Sequence, residues 1–172
     1  MQKVFSFDAA AVLKLEGHLL RPLATIGLSD DVLGRRFEID EHPRLKQALQ
    51  SRNPIHFEAY SELPDPYDGL VDNIDHQLDV HDCMGISLYI DNEPWGVLTL
   101  DAMETGSFDK IDLNELSTFT RLTEASVKAA ERIKAMGMQA KHHQLVSQTL
   151  VAETPCEIIG RSEPMIKLKD EL

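Results

Sequence analysis

His81, Cys83 and Asp101 have types and spacings that could do chemistry together. Two apolar runs, Met84 to Ile90 and Pro94 to Leu100, flank the polar turn Asp91-Asn92-Glu93, a pattern that predicts an antiparallel hairpin. Counting outward from Asn92 puts position 83 opposite position 101. Position 81 lies one diagonal step away on the same face, because strand side chains alternate. Opposite Cβ atoms lie about 5 Å apart and diagonal ones about 7–8 Å. A thiolate, an imidazole and a carboxylate at those separations could share a first-row transition metal, and this mixed soft and hard set suits iron or zinc better than calcium or magnesium. Each residue also has a plainer reading: a strand cysteine as a small buried hydrophobe, a strand-end aspartate as a turn former, a single histidine as incidental. A second acidic pair, Asp65 and Asp68, falls in Glu62-Leu-Pro-Asp-Pro-Tyr-Asp-Gly69. Pro64 and Pro66 stiffen that stretch and lower the cost of presenting its carboxylates, although Pro-Asp and Asp-Gly are also ordinary surface-turn vocabulary.

The elements around these residues follow from periodicity. Ala9 to Leu15 and Leu19 to Ile26, joined by Glu16-Gly-His18, predict an opening hairpin, followed by a loop through Gly34-Arg-Arg36. His42-Pro43 introduces a short helix with Leu45, Ala48 and Leu49 on one face, and Pro54 to Phe57 predicts a short edge strand. The polar segment Val71 to Val80, with Asp72, Asp75 and His76, reads as a solvated surface leading into the hairpin. Asp112-Leu-Asn-Glu115 has the form of a capping box with aspartate in place of Ser or Thr, and opens a long helix. Its expected apolar stripe is Leu113, Leu116, Phe119, Leu122, Val127, Ala130 and Ile133. The small residues Thr123, Ala125, Ser126, Ala129 and Ala130 suit core packing or, alternatively, the seam of a parallel homodimer. Gly137 interrupts a weakly periodic stretch that reads as a linker over 136–155, and residues 156–172 read as the start of a further domain. The expected fold is therefore α+β over residues 1–135, an antiparallel sheet flanked by helices with a long C-terminal helix and linker.

The chain has 172 residues, 42% of them hydrophobic, enough for one domain with a proper core. A formal charge of −12 argues against direct binding to nucleic acid or an anionic membrane. Cys83 and Cys156 are far apart, the N-terminus lacks a secretory apolar run, and no apolar run approaches 18 residues, so a cytoplasmic setting without a membrane span is expected. The final Lys169-Asp-Glu-Leu172 spells a retention signal that acts only in a lumen, and is read as coincidence.

Five motifs in order carry a resemblance: Val32-Leu-Gly-Arg-Arg-Phe37, His42-Pro-Arg-Leu45, Ser61-Glu-Leu-Pro-Asp-Pro-Tyr-Asp-Gly-Leu70, His81-Asp-Cys83 and Leu98-Thr-Leu-Asp101. Together they resemble the N-terminal GAF domain of NorR-type regulators, nitric-oxide-responsive sigma-54-dependent transcription activators. Ile158-Ile-Gly-Arg-Ser-Glu-Pro-Met165 resembles the start of the AAA+ ATPase domain that follows in such proteins. The resemblance implies a mononuclear non-haem Fe(II) centre at which nitric oxide binds. Its ligands would fall on Asp68, His81, Cys83 and Asp101, with Asp65 a further aspartate needed for the site and Arg44 an arginine that passes the signal to the ATPase. The family's second arginine, six residues after the first, is Gln50 here, with Arg52 nearby, and the N-terminal helix that usually precedes the first strand is missing. No phosphate-binding loop of the Gly-x-x-x-x-Gly-Lys-Ser/Thr type and no helix-turn-helix is present. The implied piece is a sensor without turnover of its own. Two other classes remain open: a GAF pocket for an organic ligand such as a cyclic nucleotide, and a Cys83-dependent redox enzyme, for which Cys156 is a poorly placed resolving partner.

Overall fold

The computed structural model describes residues 5–58, 60–70, 82–153 and 162–170. Its contacts divide into two compact units, Met1–Lys128 and Ala129–Leu172. In the first, six antiparallel strands form one sheet in the order β3-β2-β1-β6-β5-β4, comprising β1 (Ala9–Glu16), β2 (Leu19–Ile26), β3 (Phe37–Glu38), β4 (Ile55–Phe57), β5 (Asp82–Ile90) and β6 (Glu93–Ala102). Among the described residues no helix precedes β1. The long strands follow the apolar runs of the sequence, and the predicted edge strand β4 is indeed at an edge. The stretch read as a loop through Gly34 is instead α1 (Asp31–Gly34) followed by β3, whose two residues pair with Leu19 and Leu20. Elements of four and two residues leave too few turns of periodicity to register in the sequence.

The hairpin that positions the site obeys the expected register for a less simple reason. Asp91 and Asn92, at φ of 52° and 68°, form a two-residue turn, so Ile90 pairs with Glu93 and Tyr89 with Pro94. Counted from that turn, Cys83 would face Leu100. The register then shifts by one residue between Leu88 and Tyr89, leaving Trp95 as the extra residue of β6, and Cys83 faces Asp101 after all.

The sheet is covered on both faces. On one, Ala9, Ala11, Leu13 and Val97 pack with Val32 of α1, Leu45 and Ala48 of α2 (Pro43–Gln50), and Tyr67. On the other, Ile86, Leu88, Leu98 and Leu100 pack with Phe5, Phe108 and Leu116 of α3 (Leu113–Glu153). Asp112 Oδ1 accepts the amides of Asn114 and Glu115, so the aspartate caps α3 as expected. The core-facing residues of α3 in this unit are Leu116, Phe119 and Val127, whereas Leu113 and Leu122 are exposed. Half-buried Thr120 and Thr123 complete that stripe by returning their hydroxyls to the carbonyls of Leu116 and Phe119, four residues back. Thr123 was among the small residues expected to suit packing, and Thr120 was not. α3 runs through Gly137 to Glu153 without a break, so the stretch read as a linker is helical to that point, with Ile133 exposed. In the second unit α4 spans Glu163–Asp170. No helix among the described residues is long and apolar enough to cross a membrane.

α2 lies unusually close to β5. A Cβ built on Gly85 would come within 2.5 Å of the Ala48 Cβ and 3.4 Å of the Phe57 ring. Gly85→Ala is therefore expected to push α2 off the sheet and cost about 1–3 kcal/mol, as overpacking does. A urea midpoint equal to that of the wild-type chain would show that α2 is not pressed there.

Candidate metal centre

Register, a proline-stiffened turn and a short helix converge on one pocket. Cys83 and Asp101 face each other on β5 and β6, 5% and 4% exposed. The turn before Leu70 brings Asp65 over them, because its Oδ1 accepts the Tyr67 amide at 2.7 Å in an Asx turn. Tyr67, itself 1% exposed, anchors that turn by bonding its hydroxyl to the Thr99 hydroxyl at 3.0 Å. One oxygen from each aspartate and the Cys83 sulfur all lie within 4.8 Å of one another.

Arg44 of α2 closes the group. Its Nε donates to the Leu63 carbonyl at 2.8 Å, and its Nη1 donates to Asp65 Oδ2 at 2.9 Å and to Cys83 Sγ at 3.0 Å. The Cys83 thiol in turn donates to Asp65 Oδ2 at 2.9 Å. Arg44 also sits 5.7 Å over the Phe57 ring, and its ion pair with Asp65 is buried, with side chains 8% and 4% exposed. Asp65 has both oxygens occupied, whereas Asp101 Oδ2 is buried with no hydrogen-bond partner among the described residues. An orphaned carboxylate oxygen is costly unless a cation or donor completes it.

The electrostatics keep two protons in the metal-free pocket. Burial, reinforced by the negative charges of Asp101 and Asp65, pushes the Cys83 thiol far above its ordinary value. Burial, then the charge of Asp65, likewise raises Asp101 well above the carboxylate range, against a smaller opposing pull from Cys83 and Arg44. Burial and the two aspartates outweigh the opposing pull of Arg44, 3.0 Å from the sulfur, and a thiol held protonated in this way is a poor nucleophile. Sulfur and carboxylate oxygens with one oxygen left unsatisfied are what a transition metal would complete.

The structure thus brings together Asp65, Cys83, Asp101 and Arg44. Asp68 is exposed, beyond the buried Tyr67, and is not one of the three converging ligand residues. His81 and the acidic segment with Asp72, Asp75 and His76 lie outside the described residues, as does Cys156. Arg44, expected as a cation that could pair with a carboxylate, meets Asp65 and also Cys83. The signal for its burial is the spacing of four residues to Ala48, which puts it on the apolar face of α2.

A second grouping occupies the opposite face, where His56 Nε2 and Asp82 Oδ1 are 2.8 Å apart, the Phe108 amide donates to Asp82 Oδ2 at 3.2 Å, and exposed Asp109 lies beside them. Asp82 is satisfied on both oxygens, and this set acts as a clasp tying β4 and the turn before α3 to β5.

Beside Asp65, Cys83 and Asp101 lies a half-open pocket with about 10 Å³ of room for a water-sized guest, and Leu45, Ala48, Phe57, Tyr67 and Thr99 are among its walls. That is roughly the room of one water molecule. A larger hollow of about 490 Å³ lies against α3, bordered by Arg52, Tyr89, Arg121 and Glu124.

The GAF domain family model matches residues 1–127. The chain is 44% identical over 173 residues to the nitric oxide reductase transcription regulator NorR1 of Cupriavidus necator, covering 98% of this chain and 33% of that protein. It is 38% identical over 172 residues to the anaerobic nitric oxide reductase transcription regulator NorR of Serratia proteamaculans, covering 100% of this chain and 34% of that one. The chain therefore spans about a third of the length of these curated relatives. A GAF domain/HD domain protein from Geobacter sulfurreducens superposes with a TM-score of 0.57 at 15% identity, over 77% of this chain and 86% of that one, a likeness of fold alone.

Proposed function

This chain belongs to the GAF domain family, and on that premise we propose that it is the sensing domain of a nitric-oxide-responsive transcription regulator, built around a mononuclear non-haem Fe(II) centre. The observation that carries the reading is the buried cluster of Asp65, Cys83 and Asp101, with one carboxylate oxygen unpartnered among the described residues. Those three residues would hold the metal, with His81 and Asp68 as the further ligands that the family resemblance supplies. Bound iron(II) supplies an open position at which a diatomic gas can coordinate.

The chain's own residues do the rest. Asp65 is held in place by the Tyr67 amide and by Arg44, so one carboxylate is oriented before any metal arrives. Cys83 and Asp101 retain their protons until a cation displaces them, which makes loading proton-releasing and weaker in acid. The small volume leaves little room for bulky ligands. Organic ligands need pockets of roughly 300–1,000 Å³, which favours an atom-sized occupant here over a cyclic nucleotide. The reading includes no turnover. The domain would restrain an AAA+ ATPase elsewhere in the same polypeptide until the gas binds, by preferring different conformations in the two states.

The test is anaerobic Fe(II) loading of the purified chain, addition of nitric oxide, and electron paramagnetic resonance. One high-spin iron signal per chain with nitric oxide, absent from Cys83→Ala, is expected. Stoichiometric iron in both proteins with the same signal would remove Cys83 from the site. No iron in either would sink the metal reading and turn attention to organic ligands in the larger hollow.

A further inference from the structure

The half-open hollow against α3 offers about 490 Å³, within the roughly 300–1,000 Å³ of pockets that take organic ligands. Ile86, which belongs to the core around Phe5, Phe108 and Leu116, lines it from the sheet. The hollow exists because of side-chain size. Ser117 and Thr120 are the α3 residues that line it opposite Ile86, and neither is large enough to close the gap. Leu113, expected in the buried stripe of the helix, is instead 59% exposed and supplies an apolar wall.

Its charged rim is mainly cationic. Arg52 is pinned in place, with its guanidinium 4.4 Å over the Tyr89 ring and its Nη1 donating to Asn92 Oδ1 at 3.1 Å. Arg121 has no ion pair or hydrogen bond among the described residues. The acidic residue among those lining the hollow, Glu124, already accepts the Tyr89 amide at 2.7 Å through Oε1. Asp91, beside Asn92 in the turn, pairs with Lys128. Two guanidinium groups therefore border the hollow against one carboxylate that is already bonded, a locally positive site on a chain of formal charge −12.

We infer that this hollow binds an organic anion, with a carboxylate or phosphate head at Arg52 and Arg121 and an apolar body against Ile86, Leu113 and Pro54. Guanidinium groups suit such heads because they donate parallel hydrogen bonds to two oxygens. Arg52 is already held by Tyr89 and Asn92, which lowers the ordering cost of binding. The site shares no lining residue with the pocket of Asp65, Cys83 and Asp101, so its occupancy does not depend on a metal there.

The experiment is an amide chemical-shift titration of the metal-free 172-residue chain with phenylbutyrate, phenyl phosphate and the neutral phenylbutanol. At least one of the two acids is expected to saturate with a Kd of about 1 mM or tighter, the scale for a probe of about a dozen heavy atoms. The shifts should fall on Tyr89 and residues 117–124, and the tighter acid identifies the head group. Phenylbutanol should bind about tenfold more weakly. Arg121→Gln should lower the affinity of the acid to that of the alcohol. Ser117→Phe, at an exposed helix position, should fill the hollow and remove binding of both. Equal affinities of acids and alcohol for the wild-type chain overturn the inference, as does an acid that binds Arg121→Gln and Ser117→Phe as tightly as the wild type. Absence of saturable shifts at Tyr89 and residues 117–124 with both acids also overturns it, and leaves the sensor reading standing.

Discussion

Asp101→Asn is expected to make the metal-free chain more stable at neutral pH while abolishing metal loading. In the folded chain burial, then the charge of Asp65, holds the Asp101 carboxyl well above the usual range, so it keeps its proton. In the unfolded chain it ionises near pH 4. The folded state therefore binds more protons than the unfolded state between those two values. Stability falls as pH rises through that window, by about 1.4 kcal/mol per pH unit. Asparagine removes this slope. Urea midpoints at pH 5 and pH 7 in the presence of a chelator should differ for the wild-type chain and coincide more nearly for the variant. Metal affinity should fall by more than about 100-fold, since an oxygen ligand is replaced by a neutral amide. Cys83→Ala is the companion: it should lose the metal yet keep the pH slope, because an ordinary thiol does not ionise in that range. Equal slopes in wild type and Asp101→Asn would show that Asp101 is not held protonated, and iron retained by the variant would remove it from the ligand set. A stabilising change that destroys the site is the usual mark of residues kept for function.

How far the sequence could be read depended on the range of the contacts involved. The Cys83 to Asp101 pairing was legible because a hairpin register is local, although the count succeeded only because a two-residue turn and the bulge at Trp95 together equal the assumed three-residue turn. The Asp65 turn was legible as stiff, but which of Asp65 and Asp68 turns inward depends on burial of Tyr67, a tertiary fact. Thr123 was legible as a small residue suited to packing, whereas Thr120 was not; both are half-buried, their hydroxyls satisfied within the helix. α1 and β3 were too short to leave a period. Arg44 was tied to signalling through family resemblance alone. That its guanidinium meets residues 21 and 39 positions away required the fold itself.

Arg44→Ala is expected to destabilise the metal-free chain by about 3–5 kcal/mol, a large share of the 5–15 kcal/mol typical of a domain. The Arg44–Asp65 pair is buried, and Arg44 also ties the Leu63 carbonyl, Cys83 and the Phe57 ring into one group. Removing it strands the Asp65 carboxylate beside Asp101 with no cation. Asp65→Asn added to Arg44→Ala should therefore recover much of the loss, because a neutral amide no longer needs the partner; a double variant as unstable as the single one would show that Arg44 acts through packing alone. A divalent metal offers the same relief by another route. Bound among Asp65, Cys83 and Asp101 it supplies positive charge where the guanidinium was, so metal addition should raise the melting temperature of Arg44→Ala by more than it raises that of the wild type. Equal increments would mean that Arg44 and the metal do not share Asp65. Larger increments in the variant would place the arginine and the metal on one carboxylate, which is the arrangement that lets an event at the metal be felt by α2.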